Sequence, residues 1–557
     1  MDRLAKTVSP QPVMLALSRS QQWTLVVSCL AVALVIGSMA ALYTSLPDIA
    51  AETGATQSQL TWVVDGYTLA LACLVLPAGA LGDRYGRRAV LLVGLAVFSA
   101  ASTIPLVVQE PIWVIAARAA AGVGAAFVMP STLSLLTAGF PEHHRGRAVG
   151  IWAGVAGSGA VLGILCSGLL LEHWSWQSIF VGLTVAGVVL LVAAFTLSES
   201  RDESHPPMDI VGSVLVAAAI GLIVVALTEA PARGWADALV LALAGAGVVA
   251  LVLFVIVELR RTHPLLQLRL FAHRGFGSGT LSIVLQFVVM FGVFLLLVQY
   301  LQLVLGYEPL QSALALAPIA VPLVSISVIA PWLSDKVGLR LVMVSGLIVI
   351  AGGLFLTSRL GVGAAYTDFL WPLLVMGTGL GLCTAPATAA VVSAVPADHQ
   401  GVAAAVNDAA REIGAAVGIA IAGSVLAAGY TDRIRPMLST LPPPVREPVS
   451  ESLAAALQVA ERAGPSGRSM ADVAREAFIH GNSQAALMLT VITAISALII
   501  AVWAPGRGSR SAPPSVDPSA GRHAKPATTP HGLDDDTAPP RQPVSVGRHA
   551  KPDEESQ

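Results

Sequence analysis

Charge is what this chain of 557 residues has least of: Lys, Arg, Asp and Glu supply only 12% of it, and the net charge is -2. So little charge, so evenly balanced, gives no bulk attraction to nucleic acid or acidic surfaces, and no nucleic-acid partner is expected. Cysteine is also scarce. The four present, Cys29, Cys73, Cys166 and Cys383, all sit inside apolar runs without metal-ligand spacing. They read as packing residues, so neither disulfides nor a metal site is expected. Nucleotide-binding loops, clustered His/Cys pairs and nucleophile elbows are missing from the sequence. No catalytic residues and no cofactor are therefore expected, and any work the protein does must draw on an ion gradient rather than ATP.

What the chain has is apolar sequence. Hydrophobic residues make up 55% of it, and the mean hydropathy is +0.74. No soluble core can bury that much, so lipid must be part of the solvent. Backbone groups in hydrocarbon must bond within their own segment, so each long apolar run predicts a helix. Fourteen such spans are predicted: 23–46, 60–81, 89–108, 112–136, 148–171, 176–197, 210–227, 239–257, 276–304, 310–333, 341–357, 369–395, 402–428 and 485–502. The first is too long for a signal-peptide core and is read as a retained span. Lys and Arg concentrate in even-numbered connections, at Arg84, Arg87, Arg88, Arg145, Arg147, Lys336 and Arg340. By the positive-inside rule both termini are then cytoplasmic.

A turn that occurs twice is the most informative motif. Gly79-Ala80-Leu81-Gly82-Asp83-Arg84-Tyr85-Gly86-Arg87-Arg88 follows span 2, and Pro331-Trp332-Leu333-Ser334-Asp335-Lys336-Val337-Gly338-Leu339-Arg340 follows span 10. Leu, Asp, a base, Gly and Arg recur in register. One pattern at equivalent places in two halves implies duplicated helical bundles. Glycine permits a tight turn between helices that approach closely, Asp can face a helix N-terminus, and the arginines pin the loop to the cytoplasmic side.

With this turn the sequence resembles the major facilitator superfamily. Arg118 in span 4, followed by Gly122, Gly124, Ala125 and Ala126, supports the resemblance. So does span 5, where Gly150, Gly159, Gly163 and Gly168 keep the small-residue face of the family's antiporter motif. Ile164 and Ser167 replace that motif's Pro and one of its Gly residues. The resemblance implies an all-α membrane protein of two six-helix bundles, at 23–200 and 263–505, with two extra helices at 201–262. Residues 1–22 would be a cytoplasmic N-terminus. An extracytoplasmic hairpin at 430–482 is expected to carry short helices at 450–463 and 469–478. The stretch 506–557, rich in Pro and Ser, reads as a disordered cytoplasmic tail whose repeated Gly-Arg-His-Ala-Lys-Pro is a low-complexity duplication. The extra pair, with Trp62-Val63-Val64-Asp65-Gly66-Tyr67, His263-Pro264-Leu265-Leu266 and Leu270-Phe271, looks most like the fourteen-helix drug:proton antiporters (QacA-like and EmrB-like exporters).

Charges inside the membrane are costly and so are candidate sites. Asp65 reads either as a substrate or proton site or as an interfacial capping residue. Asp408 and Glu412 share a face of span 13. They are read as proton acceptors or, with Arg411 pairing to Asp408, as a self-neutralising cluster. Arg118 takes part in coupling in related antiporters, beside an acid on span 1 whose place is held here by Ser38. Leu323 stands where some relatives have an acid in span 10. Trp62, Tyr67, Phe127, Met129, Gln286, Phe291, Phe294 and Tyr300, with Phe287, Met290 and Gln299, are candidate cavity residues. The resemblance implies a multi-pass plasma-membrane exporter of lipophilic, cationic drugs or antibiotics, proton-coupled and monomeric, with lipid, protons and small molecules as its partners. Transport of a lipid or natural product, or a scaffold or sensor role, is the alternative.

Overall fold

The computed structural model describes residues 17–55, 57–200, 208–261, 264–395, 400–439 and 441–506. The tail repeat, His263 and most of the N-terminal segment lie outside the described residues. Among those described, fourteen helices are long and apolar enough to cross a membrane. Spans 1 to 6 are Arg19–Thr44, Trp62–Tyr85, Arg87–Val107, Pro111–Gly139, His144–Leu171 and Gln177–Ala194. Spans 7 and 8 are Ile210–Pro231 and Ala238–Arg260. Spans 9 to 14 are Arg274–Val304, Leu310–Val337, Leu339–Thr357, Tyr366–Ser393, Gln400–Leu438 and Arg468–Trp503.

Packing repeats between the halves. Span 1 packs on 5, 2 on 4, and 3 on both 4 and 6; correspondingly 9 packs on 13, 10 on 12, and 11 on both 12 and 14. Across the seam, span 2 meets span 13 and span 5 meets span 10. The pairing is what duplication of one six-helix unit produces. Span 7 lies against spans 2, 8 and 13, so it lines one side of the seam. Trp235, just beyond it, donates from Nε1 to Ser424 Oγ of span 13 at 2.9 Å. Span 8 presents Leu241, Val248, Val249 and Val252 outward, as a lipid-facing helix should.

Small residues set the seam and the bundle interior. A Cβ on Gly150 would lie 2.5 Å from the Ser327 carbonyl of span 10, and one on Gly163 would strike the backbone of Gly37 in span 1. Gly159 faces Ile36, and Gly168 faces Leu310. Helix pairs in lipid gain from such close approach because dispersion, not hydrophobicity, holds them together. Span 10 opens as Pro309–Leu316, passes through a 3-10 turn at Ala317–Ile319, and resumes at Ala320–Val337.

One expectation needs correcting. The second short hairpin helix, at 469–478, is not separate: it is the start of one continuous helix, Arg468–Trp503. Its buried residues Met470, Ala474, Phe478 and Gly481 carry an apolar stripe into span 14, so nothing breaks the helix between them. The helix expected at 450–463 is Leu453–Arg462; a further helix not expected from the sequence, Pro443–Glu451, precedes it, and Tyr430 Oη secures that one by donating to the Val449 carbonyl at 2.8 Å.

Candidate functional site

The turn after span 2 is built around Asp83, which is 7% exposed. Its Oδ1 accepts from the Gly401 N–H at 2.9 Å and its Oδ2 from the Val402 N–H at 3.0 Å. Both donors belong to the first turn of span 13, where unpaired N–H groups and the helix dipole favour a carboxylate. Arg87 Nη2 and Nε also donate to Asp83 Oδ1, at 2.8 and 3.1 Å. The seam is therefore latched on this face, with Gly79 and Gly401 in backbone contact beside the latch. Glu199, beyond span 6, caps span 3 by accepting from the N–H groups of Arg88 and Ala89 at 3.0 and 3.1 Å.

Arg118 is buried in the first bundle and fully bonded. Nε donates to the Val63 carbonyl at 3.2 Å, Nη1 to Ser38 Oγ at 2.9 Å and Nη2 to the Ser38 carbonyl at 3.2 Å. Its guanidinium also lies 4.1 Å from the Tyr67 ring centroid. Where related antiporters have an acid, a neutral serine hydroxyl and two carbonyls satisfy the cation.

The second bundle holds a polar layer on spans 9, 12 and 13. Gln286 Nε2 donates to Ser282 Oγ, and Thr384 Oγ1 donates to Gln286 Oε1, both at 2.8 Å. Thr388 Oγ1 donates to Asn407 Oδ1 and Asn407 Nδ2 to Asp408 Oδ1, both at 3.0 Å. Asp408 is completely buried, and its Oδ2 has no hydrogen-bond partner among the described residues. Ala404, one turn earlier on the same face, packs into the first bundle's core, so this face of span 13 looks onto the seam. The expected Arg411–Asp408 pair makes no hydrogen bond, since no nitrogen of the Arg411 guanidinium has an acceptor among the described residues, although Asp408 and the buried Glu412 both lie within its electrostatic reach. The guanidinium lies instead against the rings of Trp152 and Phe287.

Between the bundles, toward the hairpin face, is a cavity of about 320 Å3. Tyr43 and Thr44 of span 1, Ile164 of span 5, and Met290, Phe291 and Phe294 of span 9 contribute to its wall. These residues sit in the halves of their spans remote from the Asp83 turn, so the cavity and the latch occupy opposite sides of the polar layer. Glu229 lies within electrostatic reach of Asp65, and Asp65 within that of the cavity residue Tyr43.

A major facilitator superfamily model matches residues 28–419. The chain belongs to that superfamily. The multidrug resistance protein Stp of Mycobacterium tuberculosis is 31% identical over 508 residues, covering 87% of this chain and 92% of Stp. The methyl viologen resistance protein SmvA of Salmonella typhimurium is 32% identical over 480 residues, covering 84% of this chain and 94% of SmvA. The fold is also that of the human organic anion transporter MFSD10 (TETRAN), at 13% identity and a TM-score of 0.57, over 87% of this chain and 100% of that one. These relatives agree with the drug:proton antiporter branch that the motifs resemble.

Within this superfamily fold the candidate residues separate. Phe291 and Phe294 line the cavity, with Met290 and Gln299. The other candidates do not line it. Tyr67 is buried against Arg118 and donates to the Val35 carbonyl at 2.8 Å. Tyr300 bonds to the Gly361 carbonyl at 2.8 Å and stacks on Phe369. Met129 is in the first bundle's core, Phe127 is half-buried beside Gly94, and Trp62 is 38% exposed. Gln286 is committed to the polar layer. Asp335 and Arg340 do not reproduce the latch: Asp335 is exposed, and Arg340 Nε bonds to the Ala504 carbonyl at 2.7 Å. Thr384, Thr388 and Glu199 escaped the sequence reading because Ser, Thr and terminal Glu residues are common at such places. Only their partners distinguish them.

Proposed function

We propose that this protein is a proton-coupled secondary exporter of lipophilic, cation-bearing drugs, working in the plasma membrane with both termini in the cytoplasm. The observation that carries the reading is Asp408, a buried carboxyl on the seam between a latched face and a cavity toward the other. With the basic turns assigned to the cytoplasm, the latch closes the inner face and the cavity belongs to the outward-facing half of the cycle. A carboxyl so placed can exchange its proton with one side at a time as the bundles rock. Asp65, near Tyr43 at the cavity, is the candidate contact for a cationic group. The relatives named for multidrug and methyl viologen resistance support this reading. The protein acts as a monomeric carrier rather than an enzyme, without a cofactor.

The test is ethidium efflux from proteoliposomes under an imposed pH gradient. The wild type should export only with the gradient, and Asp408→Asn should lower gradient-driven efflux by about ten-fold or more, the scale of losing one essential ionisable group. Transport indifferent to the gradient, with Asp65→Asn and Asp408→Asn both silent, would overturn it.

A further inference from the structure

Apart from Arg87 of the latch, two arginines among the described residues are buried within the bundles, and they are held differently. Every nitrogen of the Arg118 guanidinium finds an acceptor. Arg411, only 2% exposed, has the rings without the acceptors. Its guanidinium carbon lies 4.8 Å from the Trp152 ring centroid and 5.1 Å from that of Phe287. Nε, Nη1 and Nη2 all lack a hydrogen-bond partner among the described residues.

Aromatic faces attract a cation but accept no hydrogen bond at the edge of its planar fork. That edge matches a planar group carrying two oxygens, which it can hold through two parallel N–H···O bonds. The location adds a direction. Trp152 belongs to span 5 of the first bundle, whereas Arg411 and Phe287 belong to the second. Rocking the bundles apart on the Asp83 side carries Trp152 off the guanidinium. Phe287 also stacks on Phe291, at 6.0 Å between centroids, and Phe291 is in the cavity wall. A run of rings thus leads from the fork to the cavity.

We propose that Arg411 is a substrate-binding residue, taking a carboxylate or paired keto and enolate oxygens of an aromatic, lipophilic substrate as it is loaded from the Asp83 side. The claim deepens the exporter reading and rests on it. When the seam closes, Trp152 returns to the guanidinium and displaces the oxygens, while the aromatic body moves along Phe287 and Phe291. The favoured substrates then carry an acceptor pair in addition to any cationic group.

The experiment is equilibrium binding to the full-length protein in lipid nanodiscs. Its probes are norfloxacin, an aromatic keto-carboxylate, and the decarboxylated analogue with the same rings and amine. The wild type should bind norfloxacin about ten-fold more tightly, the effect of a charge-assisted bond pair. Arg411→Gln should cut that ratio below about two-fold while leaving the analogue's affinity nearly unchanged, and Arg411→Lys should keep part of it. No preference in the wild type, or a preference that survives in Arg411→Gln, overturns the proposal; the wild-type ratio decides even where a variant fails to fold. Ethidium has no oxygen and serves as the separate control. Gradient-driven ethidium efflux without the binding preference removes the Arg411 site alone. The preference without any efflux removes the exporter reading alone.

Discussion

The turns around Asp83 and Asp335 are copies of one another and do different things. Both keep a glycine in left-handed backbone at the start of the following span, Gly86 at φ 110° and Gly338 at φ 96°. Both receive the chain that follows their bundle's last span: Arg87 N–H donates to the Ser200 carbonyl at 2.9 Å, and Arg340 Nε to the Ala504 carbonyl. Only the first carries a hydrogen bond across the seam among the described residues. Asp83 is buried on the N-terminus of span 13, while the side chain of exposed Asp335 makes no hydrogen bond or ion pair among the described residues. Duplication preserved the backbone of the turn, and the latch depends on what faces it. Gly79 allows contact with Gly401, whereas the equivalent position in the second copy is Pro331.

The sharpest way to break this comparison is to neutralise each acid. Asp83→Asn leaves Arg87 buried without its carboxylate, a change that costs about 3–5 kcal/mol in such pairs. It also weakens the cap on span 13. Ethidium efflux should fall by about ten-fold or more, whereas Asp335→Asn should stay within about two-fold, as surface changes do. Equal losses from the two substitutions would make the turns equivalent and remove the latch as the difference.

Next in size is the contact beside the latch. A Cβ on Gly401 would lie 2.5 Å from the Gly79 carbonyl oxygen and 2.6 Å from Asp83 Oδ1. Backbone cannot step aside as a side chain can, so Gly401→Ala should cost about 1–3 kcal/mol and loosen the closed seam. Cysteine cross-linking between the faces of spans 2 and 13 would read this as a lower rate of closure. Gly139→Ala is the control, since nothing lies within 4 Å of its Cβ. A silent Gly401→Ala would mean that the seam is not closed by this pair.

These contacts show where the sequence could be read and where it could not. The spans were legible because hydrocarbon leaves a helix as the only solution for each apolar run. The Asp83 turn was legible because its residue types are unusual and repeated. Which face of an apolar helix meets lipid, core or cavity was not. Tyr67, Met129 and Tyr300 are aromatic or flexible like Phe291, yet only Phe291 reaches the cavity. Spacing put Arg411 three residues from Asp408, but Trp152 and Phe287, distant in sequence, decide where its guanidinium lies. The helix that carries the apolar run 485–502 begins earlier, at Arg468, because its first turns are amphipathic rather than wholly apolar.

The caps sharpen the comparison further. Glu199 accepts two N–H groups at the start of span 3, and among the described residues no acid does this for span 11 after Gly338. Glu199→Gln keeps the shape but removes the charge facing the helix dipole, worth about 1 kcal/mol. A modest drop in the thermal midpoint of the detergent-solubilised protein should appear, with efflux reduced by about two- to three-fold. An unchanged midpoint would make the cap incidental.

The smallest effect belongs to the second copy. Arg340 contributes one hydrogen bond, from Nε to the Ala504 carbonyl at 2.7 Å, and its side chain is half-buried. A single bond of this kind is worth about 0.5–1.5 kcal/mol net, and glutamine keeps an N–H donor on the side chain beside the buried Ala504 carbonyl. Arg340→Gln should therefore shift the thermal midpoint less than Glu199→Gln and leave efflux within about two-fold. If Arg340→Gln instead stopped transport as Asp83→Asn should, the second turn would be carrying load in a state other than the latched one. The asymmetry would then belong to one half of the cycle rather than to the turns themselves.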